Sequence, residues 1–362
     1  MSGKVWGAAA GIAGLLALGG VTGVAAATGA PAAIAATSQP PSWHIVKSVR
    51  SGMNGDFTAM VATGKATGWA FDGINGPAAW HRNGGTWTEV RFPGRSGETV
   101  VAAGASSPSD VWAFTDVGTG SRALRWNGHT WSVVTTFRNP IGGAAVLGRN
   151  DVWVFGQPGI IEQLGAWHYN GHTWSRVARN LDGGSALAAN NVWAFSGTSV
   201  DHWNGRTWAS TSVKGLLPSK VQLNFPEVTG IYAQSPGNVY AIGNGNRQDE
   251  GGPTVVLHYN GHNWSRVAEG DFGYGTLPSQ QISTDGRGGL WLPMPGVLGA
   301  PSFMAHYANG TLTAVKLPAG AHLINVESVA GIPGTAQALA GGFTHAGNDP
   351  SRNVIAVILQ YS

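Results

Sequence analysis

The chain has 362 residues, of which only 11% are charged, and it contains 56 Gly, 16 Trp and no Cys. So low a charged fraction excludes a disordered solvating chain and disfavours long surface helices, which need many Glu and Lys. Although the pI is about 9.3, the chain has 21 basic and 18 acidic residues, and no run of Lys or Arg occurs. A nucleic-acid-binding surface needs clustered cations, so we expect no nucleic-acid partner.

The first 36 residues predict an export signal. Lys4 precedes an uncharged stretch, residues 5–27, with Leu15–Leu18 near its centre, and small residues typical of a cleavage site follow. Residues 37–41 predict a linker before a mature domain of residues 42–362. We therefore expect a secreted, extracellular monomer. An uncleaved membrane anchor is the alternative, because the uncharged stretch is long enough to cross a bilayer.

Two sequence motifs alternate along the rest of the chain. The first is an apolar run with a central aromatic residue, such as DVWAF from Asp110, and its central position recurs every 40 to 51 residues. The second contains Asn-Gly followed by Trp, as in RWNGHTW from Arg125. Asn-Gly between two apolar runs predicts a tight hairpin, because both turn residues need positive φ. Each period divides into four strands, which is the size of one β-propeller blade.

The chain ends determine the number of blades. The sequence finishes with VIAVILQYS, a third strand without a fourth, while Ser42–Val46 resembles the fourth strands and has no third strand before it. Pairing of these two segments completes one blade and removes two open sheet edges. The predicted fold is therefore all-β: a seven-bladed β-propeller with four-stranded antiparallel blades, closed by pairing of the N- and C-terminal strands in one blade. We expect the repeated Trp residues to pack between blades.

The DVWAF and NGHTW repeats resemble those of secreted bacterial seven-bladed β-propellers in the kelch-like and galactose-oxidase-like grouping. The resemblance covers residues 42–362 and implies an architecture, since these folds host unrelated functions. The paired glycines of kelch repeats occur only at Gly341–Gly342. A copper site like that of galactose oxidase needs a cysteine-crosslinked tyrosine, which a Cys-free chain cannot form. We predict no cofactor.

The long insertions point to one face of the ring. Turns after the first and third strands of a blade share one face, while connections after the second and fourth strands share the other. The second face carries the long segments, including 243–254 and 268–279, so it is the predicted binding face. Its aromatic and polar candidates are Asn246, Arg247, Asp249, Phe272 and Tyr274.

Acidic residues also stand where the innermost strands begin, at the end facing the long loops. These residues are Asp56, Glu98, Asp182, Glu227 and Glu327, with Gln280 and Gln281 in the sixth blade. A ring of carboxylates at the channel mouth would bind sugar hydroxyls, a cationic group or a hard cation such as Ca²⁺. The alternative is that each acid accepts local backbone hydrogen bonds and is solvated.

One set of histidines predicts structure and not a metal site. His81, His168, His202, His258 and His306 occupy one repeated position in the third strand, and equivalent positions lie a full blade apart.

No nucleophile-elbow or sialidase motif occurs in the sequence. The sequence thus favours a secreted non-catalytic module that binds carbohydrate or cell-wall polymer through the long-loop face. One alternative is a glycan-active hydrolase or lyase that uses the carboxylates at the channel mouth. The other alternative is a protein-interaction scaffold.

Overall fold

The computed structural model describes residues 40–50, 55–73, 77–118, 120–157, 164–218, 225–246, 252–272, 281–296, 302–318, 323–345 and 354–362. The segment Pro41–Ser362 is one compact unit. The predicted signal peptide, residues 1–36, lies outside the described residues. Within the described ranges, no helix has the length and apolar character needed to cross a membrane.

The described residues form 28 strands in seven four-stranded antiparallel sheets, β1–β28 in chain order. Blades 1 to 3 consist of β2 (Phe57–Gly64), β3 (Thr67–Asp72), β4 (Ala79–Asn83) and β5 (Thr86–Val90); β6 (Thr99–Ser107), β7 (Asp110–Asp116), β8 (Ser121–Trp126) and β9 (Trp131–Phe137); β10 (Ile141–Gly148), β11 (Asp151–Gly156), β12 (Ala166–Tyr169) and β13 (Trp174–Ala178). Blades 4 to 6 consist of β14 (Gly183–Ala188), β15 (Asn191–Ser196), β16 (Ser199–Trp203) and β17 (Trp208–Ser212); β18 (Phe225–Ser235), β19 (Asn238–Asn246), β20 (Thr254–Tyr259) and β21 (Trp264–Gly270); β22 (Ser283–Thr284), β23 (Leu290–Met294), β24 (Phe303–Ala308) and β25 (Thr311–Val315). A short 3₁₀ helix, Lys214–Leu216, follows β17.

Blade 7 joins the two ends of the chain. It contains β26 (Asn325–Gly331), β27 (Ala338–His345), β28 (Val354–Tyr361) and, as its outermost strand, β1 (Trp43–Arg50). In this sheet β1 runs antiparallel to β28, with Trp43 opposite Tyr361 and Arg50 opposite Ile355. The predicted closure and the count of seven blades are confirmed.

The hydrophobic core lies between neighbouring blades. Trp69 of blade 1 is fully buried, and its ring centroid lies 5.0 Å from that of Trp126 and 5.2 Å from that of Trp131, both in blade 2. Trp112 of blade 2 contacts Tyr169 of blade 3 in the same way, at 5.6 Å. Because each sheet buries both faces against its neighbours, large aromatic side chains are needed to fill the widening space between blades.

The repeated histidine of the third strand ties that strand to the second one. In blade 3, His168 Nε2 lies 2.9 Å from Asp151 Oδ1, and its ring stacks 4.5 Å from that of Trp153. The pairs His202–Asn191 and His258–Asn238 repeat the hydrogen bond in blades 4 and 5. In blade 6, His306 bonds to Asp285, which lies in the connection just before the second strand. Each of these four histidines makes its hydrogen bond within its own blade, which is the structural role that the sequence predicts.

Candidate functional site

The first strands of the blades surround a central channel. Its cavity has a volume of about 220 Å³ and is lined largely by Gly, Ala and aliphatic residues of these strands. Small residues are required in places: a Cβ at Gly184 would overlap the ring of Phe155 in the neighbouring blade. The channel's volume is below the roughly 300–1,000 Å³ of common ligand sites, so we expect a sugar-sized ligand to bind at one end of the channel.

Gln281 crosses the channel near its long-loop end. It lies two residues before the first strand of blade 6, yet its Nε2 donates a hydrogen bond to the carbonyl oxygen of Thr58 in blade 1, over 2.8 Å. Val101 in blade 2 offers a second carbonyl oxygen 3.4 Å away. The side chain therefore forms a polar floor beneath the channel mouth.

Asp56, Asp72 and Glu327 lie together where blades 1 and 7 meet. Asp56 precedes β2, and the pairing of Phe57 with Asp72 brings the end of β3 beside it. Burial raises the pKa of Asp56 to about 6, and burial with the nearby Asp56 charge raises the pKa of Glu327 to about 7. A Cβ on Gly73 would lie 2.4 Å from Asp56 Oδ1, so a larger residue there would displace the Asp56 carboxylate. The pKa values of Asp56 and Glu327 therefore lie close to neutral pH.

A second acidic pair lies where blades 4 and 5 meet. Asp182 precedes β14, and Glu227 lies near the start of β18. Burial raises the pKa of Glu227, and the nearby charge of Asp182 raises it further. Asp182 is itself buried, with 7% of its surface exposed. Four of the five predicted carboxylates thus form two pairs at the loop-side end of the innermost strands.

The fifth carboxylate has a different environment. Glu98 is fully buried and forms an ion pair with Arg122 of the same blade, while its Oε2 accepts a hydrogen bond from the backbone N–H of Arg95 at 3.0 Å. Arg122 also donates to the carbonyl oxygen of Pro93, at 2.8 Å. These contacts join the connection before β6 to strand β8.

The loop candidates fall mainly outside the described residues. Gln280, Arg247, Asp249 and Tyr274 all lie there, and Asn246 is described only as the last residue of β19. Phe272 is described, and its ring packs 5.0 Å from that of Phe303 in blade 6.

Asp72 is the site residue that the sequence did not single out. It follows the apolar run of the second strand, where its only signal is a charged residue directly after GWAF. Its position beside Asp56 depends on the register of two strands, which the motif does not encode. Burial raises the pKa of Asp72 to about 7, and the nearby Asp56 charge contributes to this shift.

The site has the chemistry of a hydrogen-bonding cleft. Buried carboxylates accept hydrogen bonds strongly from hydroxyl groups, and the Gln281 amide adds a fixed polar group. In the part of the chain that the structure describes, no three His, Asp or Glu side chains are arranged as a metal site.

No family model and no curated protein matches the sequence. Solved structures do match in fold. The structure of YCF48 bound to a D1 peptide has a TM-score of 0.54 at 14% identity, covering 88% of this chain and 96% of that one. The WD40 propeller domain of Doa1 has a TM-score of 0.56 at 10% identity, covering 87% and 96%. An inactive virginiamycin B lyase from Staphylococcus aureus, with quinupristin, has a TM-score of 0.57 at 10% identity, covering 87% and 99%. At such identities the likeness shows the β-propeller fold alone.

Proposed function

We propose that the chain is a non-catalytic binding module that holds a carbohydrate or cell-wall polymer at the long-loop mouth of its channel. The observation that carries the proposal is the arrangement of two carboxylate pairs, Asp56 with Glu327 and Asp182 with Glu227, at one end of the innermost strands. Neighbouring hydroxyl groups of a sugar suit such pairs, because each carboxylate oxygen accepts a hydrogen bond. The YCF48 structure, which holds a peptide, supports a binding role for the fold in general.

A glycan array followed by titration calorimetry tests the proposal. At pH 8, where Glu327 is ionised, we expect Glu327→Gln to weaken binding of the retained sugar at least about tenfold, since a bond to a charged acceptor contributes about 1.5–3 kcal/mol. Glu269→Gln is the matched control, because Glu269 lies in β21 with 47% of its side chain exposed. Binding should also weaken from pH 8 to pH 5, where Asp56 and Glu327 become protonated. An array without any retained sugar contradicts the proposal.

A glycan-active hydrolase or lyase is the second candidate. Its support is a carboxyl group with a pKa of about 7, Glu327, beside the more acidic Asp56, which is the combination that general acid catalysis requires. Release of new chain ends from a polysaccharide panel tests this activity, and Glu327→Gln should abolish it. Wild-type protein without turnover on the panel removes the candidate.

The cellular setting belongs to the same proposal. The uncharged N-terminal stretch supports export and cleavage after residue 36, with an uncleaved anchor as the alternative, and we group the repeats with the kelch-like and galactose-oxidase-like propellers. Sequencing the N-terminus of protein recovered from culture medium should give Thr37 as its first residue. Binding of Ca²⁺ by the carboxylates is tested by comparing the melting temperature of the protein with Ca²⁺ and with chelator.

A further inference from the structure

A larger groove lies on the outer wall of the ring, between blades 2 and 3. Its volume is about 700 Å³, compared with about 220 Å³ for the channel cavity. Ligand sites commonly have volumes of about 300–1,000 Å³. One side of the groove is the end of β9, and the other side is formed by β12, β13 and the turn between them. The groove therefore has the size of a binding site and is separate from the channel.

The floor of the groove is aromatic. Phe137, at the end of β9, makes edge-to-face contacts with Trp167 at 5.8 Å and with Trp174 at 5.2 Å. Both tryptophans are half-buried, so part of each ring faces the groove. Val134 of β9 has no partner residue in β8, because the register shifts there. It lines the groove and has 38% of its surface exposed. Apolar side chains of a ligand would lose water on entering this floor.

Strand β9 has the properties of an unprotected sheet edge. It is the outermost strand of blade 2, so one backbone edge has no partner strand among the described residues. Its seven residues, WSVVTTF, include no charge and no proline, whereas β1 carries Lys47 and Arg50. The outermost strands β17 (WASTS) and β25 (TLTAV) are also uncharged, but each has only five residues, so β9 offers the longest uncharged edge among the described outermost strands. Charges and prolines are the usual means by which edge strands avoid pairing with another chain. An extended segment can therefore add to β9 as a fifth strand.

The charge of the groove indicates what kind of segment it accepts. Arg138 lines the groove directly after Phe137, and no Asp or Glu lines it in the described part of the chain. A second copy docked groove to groove would bring two Arg138 side chains into one site without an acid among the described lining residues, which is unfavourable. An acidic side chain on a peptide would meet Arg138 favourably.

We propose that the groove between blades 2 and 3 is a docking site for an extended peptide that alternates apolar and acidic residues. The peptide pairs with the free edge of β9, places apolar side chains over Phe137, Trp167 and Trp174, and sets a carboxylate beside Arg138. The site is independent of the channel mouth, so a protein partner and a glycan can bind at once.

Selection of a displayed random twelve-residue peptide library on the purified full chain tests the proposal. We expect enriched peptides to contain Asp or Glu alternating with apolar residues. The best peptide, synthesised with a fluorophore, should bind wild type in an anisotropy titration and bind Val134→Glu at least tenfold more weakly. Val134→Glu changes an exposed residue, so the fold should be kept.

Val117→Glu is the matched control. Val117 belongs to the same blade and is 41% exposed, yet it does not line the groove, so affinity should be unchanged. Arg138→Glu should also reduce affinity at least tenfold, and salt should no longer weaken the remaining binding. The proposal is overturned by absence of enrichment, by enriched peptides that are basic, or by equal affinity for Val134→Glu. A dimer that Val134→Glu dissociates, or a glycan whose retention Val134→Glu abolishes, would equally overturn it.

Discussion

At the scale of single residues, the channel mouth holds carboxyl groups that favour the protonated form. Asp72 has only 8% of its surface exposed, and burial raises its pKa to about 7 even though its Oδ1 accepts a hydrogen bond from the N–H of Gly73 at 2.8 Å. The folded chain therefore binds this proton more tightly than the unfolded chain does. Stability due to Asp72 is complete below about pH 4 and declines as the pH rises towards 7.

The substitution Asp72→Asn tests this linkage. The asparagine Oδ1 can keep the bond to Gly73 without a charge, so at pH 8 we expect a gain in stability of about 1–3 kcal/mol. This gain is smaller than the whole pKa shift implies at roughly 1.4 kcal/mol per pKa unit, because the buried amide adds donors that need partners. At pH 5 wild-type Asp72 is already protonated, and the two proteins should unfold at similar temperatures. Thermal unfolding at both pH values measures the difference. An equal gain at pH 5 and pH 8 would show that the carboxyl is not desolvated.

At the scale of the strand, one position is used seven times with small variations. Where blades 3 to 6 have His, blade 2 has Arg125, whose Nε donates to Asp110 Oδ1 at 2.7 Å and whose guanidinium lies 5.2 Å from the Trp112 ring centroid. In blades 2 to 5 the first residue of the motif, Asp or Asn, is therefore the acceptor for a cation or an imidazole of the next strand. The repeat is conserved within the chain as a pair of contacts, and the identity of each partner can change.

Blade 2 offers a direct test of this pair. Asp110 is 5% exposed, so Arg125→Leu leaves a buried carboxylate without its cation, and we expect a loss of about 3–5 kcal/mol. Arg125→His should lose much less, because histidine makes the same bond in the neighbouring blades. Urea unfolding of both variants gives the comparison. If the two variants are equally unstable, the contact with Asp110 does not hold the strands together.

At the scale of the whole molecule, the repeats predict the ring because they report local structure. The Asn127–Gly128 turn and the Trp slots each act within one blade or between adjacent blades, and the unmatched ends at Trp43 and Tyr361 leave a single way to close. The pairs at the site depend on register and on packing between distant segments. No motif in the sequence predicts the Glu98–Arg122 ion pair or the packing of Phe272 on Phe303, because both contacts depend on register and on packing.

Closure of the ring depends on non-covalent pairing of β1 with β28, and a covalent link between them tests its importance. Arg50 and Ile355 are paired across the two strands, so Arg50→Cys/Ile355→Cys can form a disulfide between them. The chain itself contains no Cys that could mispair with the two introduced ones. Linking the ends restricts the unfolded chain over nearly its whole length, which favours the folded state by about 6 kcal/mol in the chain-entropy model. The control Asn83→Cys/Thr86→Cys joins paired residues of one hairpin, where the same model gives about 2 kcal/mol. Thermal unfolding with and without reductant should show the larger shift for the linked ends, and equal shifts would mean that opening of blade 7 does not limit stability.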